Sequence, residues 1–172
     1  SDLPTDKYLV TAKHRHTERE ELVTVSRNTT ASAQLSPRLG AVRLDCNQSE
    51  GTFRLLGENE RVMESGDLPI TLTELPEDNY SLYCQHHRNS RSERLVVKAG
   101  VTNIIYVEFR YGTAVLETEP AGAAVRSGDG REWGNTPVRL SELLPGDWIF
   151  TLRHDEYETV SMSFSIAANQ TN

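Results

Sequence analysis

The first forty residues of the chain recur, without a gap, in its middle. Residues 3–8 read LPTDKY and residues 75–80 read LPEDNY, which gives an offset of 72 residues (75 − 3). The same offset joins Gly40 to Gly112. A fixed period of this size is typical of an array of similar domains. We therefore expect an array, and arrays of this kind usually hold, space or bind other molecules rather than catalyse.

A third copy follows at a slightly shorter offset. Residues 134–140 (GNTPVRL) align with residues 66–72 (GDLPITL), an offset of 68 (134 − 66), and Phe164 and Ile166 then align with Leu95 and Val97. The sequence thus predicts three parts. Residues 1–39 are the C-terminal half of a repeat, residues 40–111 are a whole repeat, and residues 112–172 are a second whole repeat.

Apolar residues alternate with polar ones throughout, a pattern that predicts β-strands. Examples are residues 80–84 (YSLYC) and 148–152 (WIFTL). Many short strands separated by turn residues are typical of a β-sandwich rather than of βαβ units. The predicted fold class is all-β: tandem small β-sandwich domains with an additional N-terminal half-repeat. Residues 141–144 (SELL) are predicted to form at most a turn.

Charge excludes one class of partner. The net charge is −7, and no strong basic run is present. Because nucleic-acid binding needs a clustered basic face, we expect no nucleic-acid partner. No stretch approaches the apolar length of a membrane span, so membrane anchoring is expected only through segments outside this chain.

Two cysteines lie in the middle repeat. Cys46 and Cys84 both fall on the inward-facing set of their strands. In an oxidising compartment they would form a disulfide across the sandwich, whereas in a reducing one they would be small buried apolar residues. We favour the disulfide.

Trp133 is the candidate ligand contact. It has no counterpart in the other repeats and is predicted to lie in a polar loop, residues 130–134 (GREWG). An exposed loop aromatic can stack on a sugar ring or anchor a partner protein. The alternative is that Trp133 folds back and caps the end of the sandwich, as tryptophans commonly do.

No constellation predicts catalysis, a cofactor or a metal. His14, His86 and His154 occupy one equivalent position, so they are separated by whole repeats. His14 and His16 could share a strand face, but Zn²⁺ needs three or four ligands and no further ligand accompanies them. Residues 127–130 (SGDG) lack the continuation of a phosphate or calcium loop and are predicted to form a hairpin tip.

Residues 112–168 resemble the PEGA domain family. The resemblance rests on Pro120-Ala121-Gly122-Ala123, on Gly134-x-Thr136-Pro137, and on Leu144-Pro145-Gly146-x-Trp148. It implies a small β-sandwich, often in tandem, in bacterial or archaeal envelope and surface proteins and in ectodomains of membrane Ser/Thr kinases. It implies no catalysis.

The expected function is that of a non-catalytic, extracytoplasmic segment of a bacterial envelope protein that spaces or docks other domains or binds an envelope partner. A kinase ectodomain is a concrete candidate for the parent protein. The alternatives are a module that binds cell-wall glycans and an accessory domain of an envelope hydrolase. The N-terminal half-repeat presents unpaired strand edges, so it would pack against the middle repeat or pair with another chain as a homodimer.

Overall fold

The computed structural model describes residues 3–14 and 17–171, and every regular element within these ranges is a β-strand. The expected all-β fold class is thus confirmed. Over the same ranges, no helix has the length and apolarity that a bilayer crossing requires. His16, one of the two histidines considered for metal binding, lies outside the described residues. The strands are β1 Asp6–His14, β2 Thr17–Val25, β3 Leu39–Cys46, β4 Thr52–Leu56, β5 Val62–Asp67, β6 Ile70–Pro76, β7 Asp78–His86, β8 Asn89–Val97, β9 Thr102–Val107, β10 Gly112–Leu116, β11 Ala124–Ser127, β12 Glu132–Asn135, β13 Val138–Leu143, β14 Gly146–Arg153 and β15 Val160–Ile166.

The chain divides into two compact units. The N-terminal unit comprises Ser1–Gln85 and Arg91–Val107, and the C-terminal unit comprises His86–Ser90 and Glu108–Asn172. These units follow spatial contacts, whereas the expected parts 1–39, 40–111 and 112–172 follow the sequence repeat. The repeat boundaries therefore stay a prediction.

The N-terminal unit contains a sandwich of two sheets, with strand orders β6-β3-β9 and β5-β4-β7-β8. Strand β9 runs parallel to β3, from Ala41 opposite Thr102 to Cys46 opposite Val107. Because side chains alternate along a strand, each sheet presents one apolar face to the other. The fully buried members of this core include Val42, Leu44, Leu55, Leu82 and Val97.

The C-terminal unit contains a second sandwich with the strand orders β10-β13 and β12-β11-β14-β15. Substituting β10 to β15 for β3 to β8 reproduces both sheets, apart from the strand at the β9 position. Within the described residues, that position holds a single parallel bridge between Thr113 and Thr171. The core consists of Ala114, Leu116, Ala123, Val125, Leu140, Leu143, Phe150, Leu152 and Ile166.

Strands β1 and β2 form an antiparallel hairpin of their own, from Asp6 opposite Val25 to His14 opposite Thr17. At its tip, His14 Nε2 lies 3.7 Å from Glu74 Oε2, so the hairpin contacts the sandwich of its own unit. Pairing of this hairpin with another chain stays a prediction.

A hydrogen bond from an aromatic side chain to the backbone recurs at the start of three strands. Tyr8 Oη donates to the carbonyl of Pro4 at 3.0 Å, and Tyr80 Oη donates to the carbonyl of Pro76 at 2.9 Å. In the third copy, Trp148 Nε1 donates to the carbonyl of Leu144 at 2.8 Å. Each bond spans four residues and fixes the chain entering a long strand, as in the tyrosine corners of other sandwiches.

A turn after the last long strand also recurs. Asn28, Gly100 and Asn169 have positive φ angles of 58°, 72° and 59°, a conformation that favours glycine and asparagine. In the two whole sandwiches this turn binds the first strand, because Gly100 N donates to Leu39 O at 2.8 Å and Asn169 N donates to Tyr111 O at 2.7 Å.

Two local predictions were wrong. Residues 141–144, for which at most a turn was expected, mostly belong to β13, which continues through Leu143 with a positive φ of 58° at Glu142. Glu74, at the equivalent place in β6, has a φ of 59°. Trp133, expected in a loop, lies in β12.

Candidate functional site

A groove with a volume of about 560 Å³ opens in the C-terminal unit, between the end of β10 and the strands β14 and β15. We call it the β10–β15 groove. Its floor includes the buried side chains of Ala123 and Leu152. The other lining residues are Glu117, Thr118, Glu119, Pro120, His154, Tyr157, Glu158, Val160 and Met162.

One wall of the groove is the loop 120–123, and Thr136 holds that loop in place. Thr136 Oγ1 accepts a hydrogen bond from Ala123 N at 3.0 Å, and Thr136 O accepts one from Gly122 N at 2.8 Å. Thr118 Oγ1 donates to Pro120 O at 2.8 Å. Gly122 has a φ of 103°, which explains a glycine here. The structure thus joins the first two sequence elements that resemble a PEGA domain.

The opposite wall follows the end of β14. The rings of His154 and Tyr157 meet edge to face, with centroids 5.2 Å apart. His154 Nδ1 accepts a hydrogen bond from Glu156 N at 3.3 Å, so Nε2 carries the ring proton of the neutral form. Tyr157 itself is mostly exposed. An edge-to-face aromatic pair that remains accessible offers a contact surface for an apolar or planar group.

Charge and burial define what the groove can bind. The exposed side chains of Val160 and Met162 continue the apolar floor toward solvent. Three carboxylates line the groove, those of Glu117, Glu119 and Glu158, and among its described lining residues there is no lysine or arginine. The groove therefore suits an apolar ligand that also carries positive charge.

Trp133 lies away from this groove. Its ring packs partly buried against the C-terminal core, and its Nε1 donates to Ser127 Oγ at 2.9 Å. The guanidinium of Arg131 lies 3.7 Å from the ring centroid and covers one face. These contacts are those of a residue that caps the sandwich. A ligand contact at Trp133 stays a prediction.

The predicted hairpin tip at residues 127–130 joins β11 to β12. Hydrogen bonds from Ser127 and the ion pair with Arg88 hold the pKa of Asp129 at about 2, below its usual range. The Arg131 backbone N–H contributes a further hydrogen bond. Asp129 thus anchors the tip in its charged form.

The two cysteines are present as free thiols. Cys46 Sγ donates to Gln48 O at 2.9 Å. Burial, followed by the charges of Glu93 and Cys46, raises the pKa of Cys84 to about 11. Cys84 is buried and Cys46 is partly buried, and the disulfide stays a prediction.

The equivalent histidines do not converge. His14 is partly exposed at a hairpin tip, His86 is buried, and His154 lines the groove. In the described part of the chain, no group of three or more His, Cys, Asp or Glu residues could hold a metal ion.

Sequence reasoning missed the groove, although one signal was available. Val160 and Met162 are apolar where the middle repeat, at an offset of 69 (166 − 97), has Arg91 and Glu93. Exposed apolar residues at positions where the middle repeat has charged residues indicate a candidate binding surface.

Comparison with known proteins supports the family. The model of the PEGA domain family matches residues 111–172. No curated protein matches the chain significantly.

Two solved structures are similar to the chain in part. The minor pilin GBS52 of Streptococcus agalactiae is 12% identical, with a TM-score of 0.47, over 77% of this chain and 92% of the pilin. The TIE protein of Bacillus anthracis is 14% identical, with a TM-score of 0.37, over 96% of this chain and 40% of that protein.

The family match covers the part of the chain that carries the Thr136-anchored loop, the Trp148 hydrogen bond and the β10–β15 groove. PEGA domains are typically extracellular or surface-associated and are not known for catalysis. Residues 111–172 therefore match the PEGA domain family.

Proposed function

We propose that this chain is a non-catalytic, extracytoplasmic segment of tandem PEGA-like sandwiches that spaces or docks other domains of a bacterial envelope protein. The parent that we propose is a membrane Ser/Thr kinase, with this segment in its ectodomain. The PEGA match at residues 111–172 and the usual location of PEGA domains support the extracytoplasmic assignment.

The observation that carries the spacing role is the anchoring of hairpin tips. Residues 86–90, which comprise the turn between β7 and β8 and the adjoining ends of both strands, belong to the C-terminal unit. There, Asn89 Nδ2 donates to Arg110 O at 3.0 Å, His87 Nδ1 lies 3.1 Å from Glu142 Oε2, and Arg88 pairs with Asp129.

The same kind of contact occurs in the N-terminal unit, where the tip residue His14 meets Glu74. Glu74 and Glu142 align at the offset of 68 and share the positive φ described above. Because a histidine at a hairpin tip contacts an equivalent glutamate in both cases, we infer that this contact is a feature of the repeat and not of one loop.

The exposed contacts orient residues 86–90 but contribute little to the free energy of folding. Exposed ion pairs such as Arg88–Asp129 contribute only about 0–1 kcal/mol each. The buried contact is firmer, since Tyr111 Oη donates to His86 O at 2.8 Å and lies 2.7 Å from His86 Nδ1. Residues 86–90 are thus held by several contacts within the C-terminal unit.

Small-angle X-ray scattering tests the spacing role. We expect the wild-type chain to give a narrow distribution of maximum dimensions, and the double variant His87→Ala/Arg88→Ala to give a broader one. Arg94→Ala, an exposed change on the same hairpin, is the matched control and should scatter as wild type. A broad distribution in the wild-type chain would contradict the proposal.

An amide-resolved NMR titration with soluble peptidoglycan fragments separates this role from glycan binding. A spacer shows no shifts with these fragments at millimolar concentration. Shifts clustered around Trp133 that disappear in Trp133→Ala would replace the spacing role with the carbohydrate-binding alternative.

A further inference from the structure

We propose that strand β9 of the N-terminal unit is a self-association edge, at which two copies of the chain pair through β9 in antiparallel fashion. The two most exposed large apolar side chains of the described residues, Ile104 and Tyr106, lie two residues apart on this strand. Their exposed fractions are 72% and 64%. This inference concerns an interaction surface and does not depend on the spacing role.

Strand β9 lies at an edge of its sheet. In the strand order β6-β3-β9 it has a neighbour on one side only. The strands before and after it in the chain pair elsewhere, β8 with β7 and β10 with β13. Along β9, exposed residues alternate with partly or fully buried ones, so Ile104 and Tyr106 share the outward face of the sheet.

The backbone of β9 offers hydrogen-bonding groups on its free side. Ala41 N donates to Val101 O at 2.9 Å, so the backbone groups of the odd-numbered residues of β9 face β3. Groups of successive residues point to opposite sides of a strand, and the N–H and C=O of Ile104 and Tyr106 therefore face away from β3. Such a row of groups is a template for pairing with another strand.

Charged residues mark the other edges of this sandwich, whereas β9 has none. The edge strands β5, β6 and β8 include Glu64, Glu74 and Arg94, respectively. Charge on an edge strand opposes pairing with a second strand. Residues 102–107 read TNIIYV and contain no charged side chain. The free edge of β9 thus lacks the protection that the other three edges have.

The neighbouring strand adds no net charge to this surface. Arg43 lies opposite Ile104, and Asp45 lies opposite Tyr106. The two charged side chains pair with each other, with Arg43 Nε 2.9 Å from Asp45 Oδ2. An apolar patch on a neutral surround favours an apolar partner over a charged one.

The occupant that fits this edge is a second copy of β9. The chain has a net charge of −7, and like charge opposes contact between two copies, so an uncharged strand is a favourable place for them to meet. An antiparallel pair centred on Ile105 places Ile104 of each copy opposite Tyr106 of the other. Pairs of an aromatic and a β-branched residue are favourable across strands. Both exposed side chains then contact an apolar partner, and their backbone groups form a ladder.

Sedimentation of the chain over a range of concentrations tests the dimer. One short strand from each copy makes a small interface, so we expect a monomer–dimer equilibrium with a dissociation constant of about 10⁻⁴ M. Ile104→Lys places on β9 the kind of charge that protects edge strands, and it should weaken the dimer at least about tenfold.

The matched control is Ile149→Lys. Ile149 is also exposed, but it lies on β14, which has a neighbouring strand on both sides. This variant should dimerise as the wild type does. Both substitutions change exposed side chains, so both variants should keep the thermal unfolding of the wild type, which shows that any loss of the dimer is not a loss of the fold.

Amide hydrogen exchange locates the interface. The amides of Ile104 and Tyr106 should exchange fast in dilute protein and slowly at concentrations where the dimer forms. The amide of Ile105 faces β3 and should exchange slowly at both concentrations. In a mixture of labelled and unlabelled chains, we expect a nuclear Overhauser effect between Ile104 of one copy and Tyr106 of the other.

A chain that stays monomeric up to about 1 mM would overturn the self-association edge. A dimer that Ile104→Lys leaves intact, or concentration-dependent protection at another strand, would overturn its location at β9. A contact between Ile104 of both copies would overturn the register centred on Ile105. If the chain is monomeric and a synthetic peptide of residues 102–107 protects the amides of Ile104 and Tyr106, the edge binds an extended segment of another protein, and the assignment to a second copy is wrong.

Discussion

The two sandwiches share their strand order but differ in how their cores are closed. In the N-terminal unit a third strand, β9, completes the sheet of β3 and β6. Among the described residues of the C-terminal unit, the equivalent sheet has two strands and one bridge, and the β10–β15 groove lies near the end of β10.

Several local features are shared. Both sandwiches have the aromatic hydrogen bond at the start of the long strand, the positive-φ turn before the closing strand, and a glycine at the start of the first strand. The comparison teaches that six strands form the two sheets of each sandwich in the same order.

The largest expected effect tests the shared glycine. A Cβ on Gly112 would lie 2.3 Å from Ile166 Cγ2 and 2.4 Å from Ala167 O, so the backbone must shift. We expect Gly112→Ala to lower the free energy of unfolding of its sandwich by about 3 kcal/mol, measured by chemical denaturation.

Gly40→Ala should cost a similar amount, because its Cβ would lie 2.4 Å from Lys98 O. The control is Gly57→Ala, where the nearest atom is 3.5 Å away and a loss below about 0.5 kcal/mol is expected. If Gly112→Ala unfolds as the wild type does, β10 does not lie against the end of β15 and the likeness of the two sandwiches fails.

The next prediction compares the packing of the N-terminal core with the packing of the groove floor. Leu82 lies on β7 in the closed core, and Leu152 lies on β14 at the floor of the groove. The cost of a Leu→Ala change grows with the cavity that remains, so we expect about 3 kcal/mol for Leu82→Ala and about 2 kcal/mol for Leu152→Ala. Thermal and chemical denaturation provide the values. Equal losses would show that the groove floor is as tightly packed as the closed core.

A smaller effect compares the aromatic hydrogen bond in two settings. Tyr80 is buried in the N-terminal sandwich, whereas Tyr8 lies in the hairpin of β1 and β2. Removing the hydroxyl should cost about 1 kcal/mol in Tyr80→Phe and less than about 0.5 kcal/mol in Tyr8→Phe, since water replaces the lost bond only at the exposed site. Denaturation of both variants checks this order, and the reverse order would contradict it.

The smallest effect is the pH dependence of the N-terminal core. The pKa of Cys84 is raised from 9.0 to about 11, because burial disfavours the thiolate. Its contribution to stability is complete below pH 9 and is lost as the pH rises toward 11. In reduced protein the free energy of unfolding should therefore fall above pH 9, and Cys84→Ala should remove the fall between pH 9 and pH 10. Above pH 10 Tyr80 also contributes to the fall, because burial and Asp78 raise its pKa from 10.0 to about 12.

Oxidised protein with a Cys46–Cys84 disulfide has no thiol to titrate, and its stability should not show this first fall. An intact mass measured without reductant reports which form is present. A fall that persists in Cys84→Ala would assign the effect to another group.

Much of the fold was predictable because it follows from short-range patterns in the sequence. The alternation around Tyr80 and Trp148 predicted strands, and the offset of 72 residues predicted the equivalence of Gly40 and Gly112. Cys84 was placed inward for the same reason. These features depend on the period of side chains along a strand, which a sequence displays directly.

The rest depends on contacts that a sequence does not display. The positive φ of Glu142 gives no local signal, because glutamate has no preference for that conformation and the bulge arises from pairing with β10. Trp133 was expected in a loop because glycines flank it, whereas pairing with β11 makes it part of a strand. The groove requires knowing which strand closes each sheet, and that is a property of the assembled sandwich.

Amide hydrogen exchange along β3 and β10 tests the difference in closure most directly. In β3, which has a ladder partner on both sides, we expect slow exchange at consecutive residues from Val42 to Leu44. In β10 we expect slow exchange only at the alternate residues that pair with β13, with fast exchange at those that face the groove edge. Uniform protection along β10, equal to that of β3, would contradict the account.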